Sequence, residues 1–208
     1  MPETRRQIQK RTTRKHLIET AIRLFARNGL TATRTADIAK AANVSHGTVF
    51  VHFPTQEALL TGAIEEFGSR INARLHELAA GKSSMREVLE AHIQGLTEYE
   101  KFYACLVAES RLLPAGARNT LVMIQSTVSF HISQAAEREI GAGTVVQQPV
   151  HMIFNGWIGL VHYYLMNSEL FSPGESVLER RGQDLIRYYM GLMAPKGTAG
   201  VLQKKEEE

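Results

Sequence analysis

Ser45, His46, Thr48 and His52 put two hydroxyls and two imidazoles within one short stretch, and Gly47 adds a bare backbone among them. Hydroxyls and imidazoles both donate and accept hydrogen bonds, and a glycine beside them lets another surface come close to the chain. Arg34 and Thr35 precede this group, and Phe50 and Val51 lie within it. Such a set suits polar recognition of a partner better than bond breaking. A metal held between two histidines on one helix needs i, i+4 spacing, and His46 and His52 do not have it. The single cysteine, Cys105, excludes a cysteine-cluster metal site and an internal disulfide. Gly141-Ala142-Gly143 has Val146 where a dinucleotide fingerprint needs a third glycine. Gly81-Lys82-Ser83 has His76 where a phosphate loop needs glycine. Gly-x-Ser-x-Gly and His-Glu-x-x-His are absent. No catalytic residue, metal or cofactor is therefore expected, and the chain is not read as an enzyme.

Charge places these residues in a distinctive third of the chain. Residues 1–60 carry 10 Lys and Arg against 4 Asp and Glu, while residues 61–208 carry 14 against 17. Arg5, Arg6, Lys10, Arg11, Arg14 and Lys15 form a basic arm over residues 1–15. A basic segment on a mildly acidic body points to a polyanion partner for that segment; the alternative is a solvated, frayed helix start.

The elements that position the group follow from spacing. Leu17, Ile18, Ala21, Ile22, Leu24 and Phe25 make one apolar stripe on a helix beginning near Arg11, which Asn28-Gly29 ends. Thr35 is the expected N-cap of a second, short helix, with Ala39 and Ala42 small enough for close packing. Asn43 tolerates the positive φ of a tight turn, and Val44 plugs the bend. Ser45 caps a third helix with Val49 and Phe53 on its apolar side, and Pro54 closes it. Two short helices joined by a turn behind a stabilising helix make a helix-turn-helix, whose second short helix enters the DNA major groove. His46, Gly47, Thr48, Phe50, Val51 and His52 then point outward, although Phe50 alone could equally be core.

Residues 11–60 resemble the DNA-binding domain of the TetR family of bacterial transcriptional regulators. The matching pieces are Leu24-Phe25-Ala26-Arg27-Asn28-Gly29, Thr35, Ile38-Ala39, Val44 to Phe50, His52-Phe53 and Glu57-Ala58-Leu59-Leu60. The resemblance implies that Thr35 and His52 contact phosphates and that Ser45, His46, Gly47 and Thr48 open the groove-facing helix. Phe50 stands where the family usually has Tyr, Gln56 where it has Lys, and Asn43 where it has Gly. The first two departures each remove a phosphate contact, which Arg34, Lys40 and the basic arm could replace.

The remaining residues predict further helices near 56–81, 85–99, 102–113, 121–140, 150–166 and 177–193, about nine in all. The fold class is all-α. An N-terminal helix-turn-helix domain over 1–55 precedes a helical ligand-binding and dimerisation domain over 56–195 and a disordered tail over 196–208. Helix 150–166 carries two apolar stripes and is expected to be buried on most sides. With helix 177–193, where Gly182 permits close approach, it could form a two-fold four-helix bundle with a second copy; ordinary packing within one chain is the alternative. Phe102, Tyr103, Leu106, Met123, Phe130, His131, Phe154, Trp157 and His162 are candidates to line a pocket for an apolar or aromatic effector, each also readable as core. No secretory signal or membrane span is read, so a cytoplasmic protein is expected. The leading expectation is a homodimeric, ligand-released repressor on a palindromic double-stranded DNA operator. The rivals are an all-α small-molecule carrier or enzyme with an incidental basic arm, and a protein-binding adaptor with a degenerate helix-turn-helix.

Overall fold

The computed structural model describes residues 3–79 and 83–195. The expected tail and Gly81 lie outside the described residues, which contain ten α-helices and no strand. In order these are α1 (Arg5–Asn28), α2 (Thr35–Ala41), α3 (His46–His52), α4 (Gln56–Ala79), α5 (Met85–Thr97), α6 (Glu100–Ala108), α7 (Ala115–Gly141), α8 (Val150–Met166), α9 (Ser168–Phe171) and α10 (Val177–Met193). They fall into two compact units, residues 3–69 with 101–123, and residues 70–100 with 124–195.

In the first unit, α1 begins six residues before the expected start. Thr4 and Gln7 form a capping box that satisfies the free amides of the first turn, so the basic arm is helix from Arg5 onward. Its apolar stripe buries Leu17, Ile18, Ala21 and Phe25. Phe25 meets Phe102 of α6 with ring centroids 6.2 Å apart, and Phe67 of α4 stacks on Tyr103 at 5.3 Å. Gly62 of α4 lies against Phe53, where an added Cβ would come within 3.1 Å of the ring. Side chains buried to this degree each contribute on the order of 1.5–3 kcal/mol by leaving water.

The second unit is held by buried polar contacts as well as apolar ones. Glu100 accepts the backbone N–H groups of Val177 and Leu178 at 2.9 and 3.0 Å, capping the start of α10. Glu139 accepts the Met85 N–H at 2.7 Å at the start of α5. Trp157, fully buried, donates from its indole N–H to His92 Nδ1 at 3.1 Å. Tyr189 of α10 donates its hydroxyl to the Ile153 carbonyl of α8. Gly182 permits the close approach of α10 to α5, since a Cβ there would sit 2.7 Å from Ile93.

Three expectations need correction. The helix expected over 102–113 ends at Ala108, with a 3-10 turn at Ser110–Leu112 after it, and α7 starts at Ala115, earlier than Leu121, the Pro114 carbonyl accepting from the Arg118 N–H at 2.9 Å. The four-residue α9 has too little sequence to show a period. Helix α8 is not buried on most sides within this chain. Ile153, Trp157, Val161 and Leu165 are buried, whereas Met152, Gly156, Gly159, Tyr163 and Met166 are exposed. No described helix is long and apolar enough to cross a membrane.

Candidate nucleic-acid interface

Helix α3 is built by local rules. Asn43 adopts φ 54°, the left-handed conformation that the turn requires. Ser45 then caps the helix, its Oγ accepting the Thr48 N–H at 3.0 Å and sharing a second bond with Thr48 Oγ1 at 2.8 Å. Val49 and Phe53 are buried and anchor one side. Ser45, His46 and Gly47 are exposed, Thr48 and His52 are half-buried, and Phe50 and Val51 are 43% and 73% exposed. Phe50 is therefore not core. A Cβ on Gly47 would meet only Ser45 Oγ, at 3.7 Å, so nothing inside the chain crowds that position.

Contacts between helices hold the outward side chains in place. Thr35 is the first residue of α2, with Arg34 rather than Thr35 at the cap, because the Asp37 carboxylate accepts the Arg34 N–H at 3.1 Å. That frees the Thr35 hydroxyl, which hydrogen-bonds His46 Nε2 at 3.0 Å. The His46 imidazole stands edge-on to Phe50, with centroids 4.8 Å apart. His16 of α1 hydrogen-bonds the Ala42 carbonyl at 3.2 Å, pinning the turn. The Gln56 amide donates to the Thr33 carbonyl at 2.9 Å, so this residue serves the α2 entry rather than a surface.

At the far end of α3, Arg14 lies over the Phe53 ring, 4.8 Å from its centroid. His52 has a buried Nδ1 without a hydrogen-bond partner. Burial first, and then the charges of Lys10 and Arg14, lower the His52 pKa below its ordinary value. Three groups able to meet an anion thus converge there. Lys10 and Arg14 were not singled out individually from the sequence, although their i, i+4 spacing puts them on one side of α1. Glu109 was also missed: its carboxylate accepts the N–H groups of Leu30 and Thr31 at 2.8 and 2.9 Å.

The nine candidate effector residues divide between the two units. Phe102, Tyr103, Leu106 and Met123 belong to the first unit, the other five to the second. Phe102, Tyr103, Leu106 and Trp157 are fully buried packing, Met123 and Phe130 are exposed, and His131, Phe154 and His162 are half-buried. Burial, together with His76 for His131, lowers the pKa of His131 and His162. Among the described residues, no three His, Cys, Asp or Glu side chains cluster so as to hold a metal.

The family model for bacterial regulatory proteins of the tetR family matches residues 17–63, the span that contains α2 and α3. Residues 17–63 therefore carry the DNA-binding segment of the tetR family. The chain is a helix-turn-helix DNA-binding transcriptional regulator. The chain is 24% identical over 188 residues to the HTH-type transcriptional regulator AcrR of Shigella flexneri, covering 84% of this chain and 86% of that one. It is 33% identical over 90 residues to the probable acrEF/envCD operon repressor of Escherichia coli K12, covering 43% of this chain and 34% of that one. Its fold matches that of the regulator FadR from Bacillus subtilis, solved with stearoyl-CoA, at TM-score 0.67 and 16% identity, over 85% of this chain and 97% of that one.

Proposed function

We propose that this regulator is a homodimeric repressor that a small apolar or aromatic effector releases from a palindromic operator. Residues 1–55 form the DNA-binding part and residues 56–195 the effector and dimerisation part. The protein acts in the cytoplasm, by binding rather than by catalysis. The observation that carries the reading is the outward side of α3: it is polar or open at His46, Gly47 and Thr48, while Val49 and Phe53 fix its orientation from behind.

Each subunit lays α3 in the major groove of one half-site. His46 and Thr48 meet base edges, Gly47 lets the backbone approach, and Phe50 and Val51 offer apolar contact to thymine methyl groups. Arg34, Thr35 and His52 meet phosphates, with Lys10 and Arg14 supplying charge, and Ser45 opens the groove-facing end of the helix. A second copy covers the exposed stripe of α8 together with Tyr188 and Leu192 of α10. Contiguous exposed apolar side chains of this kind mark association surfaces. The FadR structure contains stearoyl-CoA, which supports an apolar effector here. Among the nine candidates, His131, Phe154 and His162 of the second unit are already half-open and are the first that an effector in that unit would meet; Phe102, Tyr103, Leu106, Met123, Phe130 and Trp157 complete the candidate set. Helix α4 contributes residues to both units and serves as the lever.

Selection of DNA from a random pool tests this reading. The expected product is an inverted repeat whose half-sites lie about one helical turn apart or a multiple of it. Recovery of DNA without a shared sequence overturns it.

A further inference from the structure

We propose that the first unit holds a second small-molecule site, beside the helix-turn-helix, for a small organic cation with an apolar body. The site is an open cavity of about 310 Å³, at the lower end of the roughly 300–1,000 Å³ that ligand pockets span. Leu30, Leu60, Leu113 and Pro114 give it apolar walls, and the exposed Leu112 stands beside them. Glu57 and Glu109 also line it, and no Lys, Arg or His does. Arg118 donates to the backbone carbonyl of one lining residue, Leu113, at 2.9 Å, and its own side chain is not part of the lining.

The two carboxylates are arranged for a cation rather than for each other. Glu109 receives the Leu30 N–H on Oε1 at 2.8 Å, and the Thr31 N–H and hydroxyl on Oε2 at 2.9 and 2.8 Å. Oε1 therefore keeps acceptor capacity. Burial pushes the Glu109 carboxyl up, but these three hydrogen bonds outweigh it and hold its pKa below the ordinary value, so it is charged at neutral pH. Glu57 Oε1 stands over the first turn of α7, 3.1 Å from where a Cβ on Gly116 would be. Two negative groups beside leucines, with no cation among the lining side chains, attract a positive ligand whose apolar body can cover those leucines. Glu109 also holds the loop between α1 and α2, so a cation that draws on it acts directly on the DNA-binding helices. This site is distinct from the effector site proposed above and needs neither DNA nor the second unit.

Calorimetric titration of the full-length protein with benzyltrimethylammonium tests the proposal. Saturable binding is expected, with none for 3-phenylpropionate, an anion of similar bulk. Glu57→Gln should weaken binding at least tenfold. Leu112→Trp, which fills the mouth, should weaken it comparably, and both variants should melt as the parent does. His162→Leu, in the second unit, should leave it unchanged. Absence of binding, equal binding of the anion, or binding that only His162→Leu removes overturns the site. None of these results bears on the DNA selection, so the two readings fail separately.

Discussion

The Thr35 hydroxyl and His46 Nε2 lie 3.0 Å apart, joining the first residue of α2 to the first residue of α3. This bond occupies one ring nitrogen of His46 and leaves the other for a partner. Phe50 restricts the ring from a third side. The imidazole is thereby oriented before it meets DNA, which lowers the ordering cost of binding.

Thr35→Val keeps the shape of the residue and removes the bond. Affinity for the selected operator should fall a few-fold, in line with the roughly 0.5–1.5 kcal/mol that a hydrogen bond contributes. Preference at the base pair facing His46 should also relax. His46→Ala should relax the same position further. A gel-shift series over operators varied at that position measures both effects. Unchanged preference in both variants would place His46 away from the bases.

His52 gives the proposed interface a pH dependence. In the free protein, burial and then Lys10 and Arg14 disfavour its charged form. A phosphate at the same place favours that form, so the pKa rises on binding. Affinity should then increase as pH falls through the bound-state pKa and level off below the free-state one. His52→Gln should flatten the profile while His46 and His16 remain. Lys10→Gln and Arg14→Gln should each reduce the slope of log affinity against log salt by about one. Titration by fluorescence anisotropy at several pH values and salt concentrations reads both quantities.

Much of this interface was legible because it obeys local rules. The cap at Ser45, the left-handed turn at Asn43 and the buried pair Val49 and Phe53 depend on residues within one or two turns of each other. Thr4-x-x-Gln7 was readable in the same way, but the absence of apolar periodicity before Leu17 hid the true start of α1. The Glu109 tether was not legible, since it joins residues 79 apart and no pattern marks it. Neither was the identity of the pocket. Aromatic residues at helical spacing look alike whether they face a ligand or, as Phe102 and Trp157 do, the core. For α8 the two stripes were visible, yet a stripe does not say whether its own chain or another covers it.

The open stripe of α8 predicts association. Tyr163 is 57% exposed and Leu192 55%. No neighbouring atom lies within 4 Å of a Cβ built on Gly159, so another helix can approach there. Tyr163→Glu with Leu192→Glu should convert a dimer to a monomer in light scattering. It should also weaken operator binding by at least tenfold, because the half-sites are then bound independently. Melting should change little, as both side chains face away from the core. A double variant that remains dimeric would assign this face to something else.

The buried pair His92 and Trp157 sets the acid limit of stability. His92 accepts the indole N–H on Nδ1 and so must leave that nitrogen unprotonated. Burial, and secondarily His162, lowers its pKa from 6.5 to about 3. The unfolded chain therefore binds a proton that the folded chain refuses between these two values. The contribution is fully present above pH 6.5 and is lost as pH falls from there towards 3. Each unit of separation corresponds to about 1.4 kcal/mol, so a loss of several kcal/mol is the upper bound. Denaturant midpoints at pH 7.5 and pH 5 should differ clearly in the parent. In His92→Gln, whose amide oxygen can still accept from Trp157, the midpoint should be lower at pH 7.5 but the pH dependence smaller. Equal pH dependence in parent and variant would move the acid sensitivity to the other histidines.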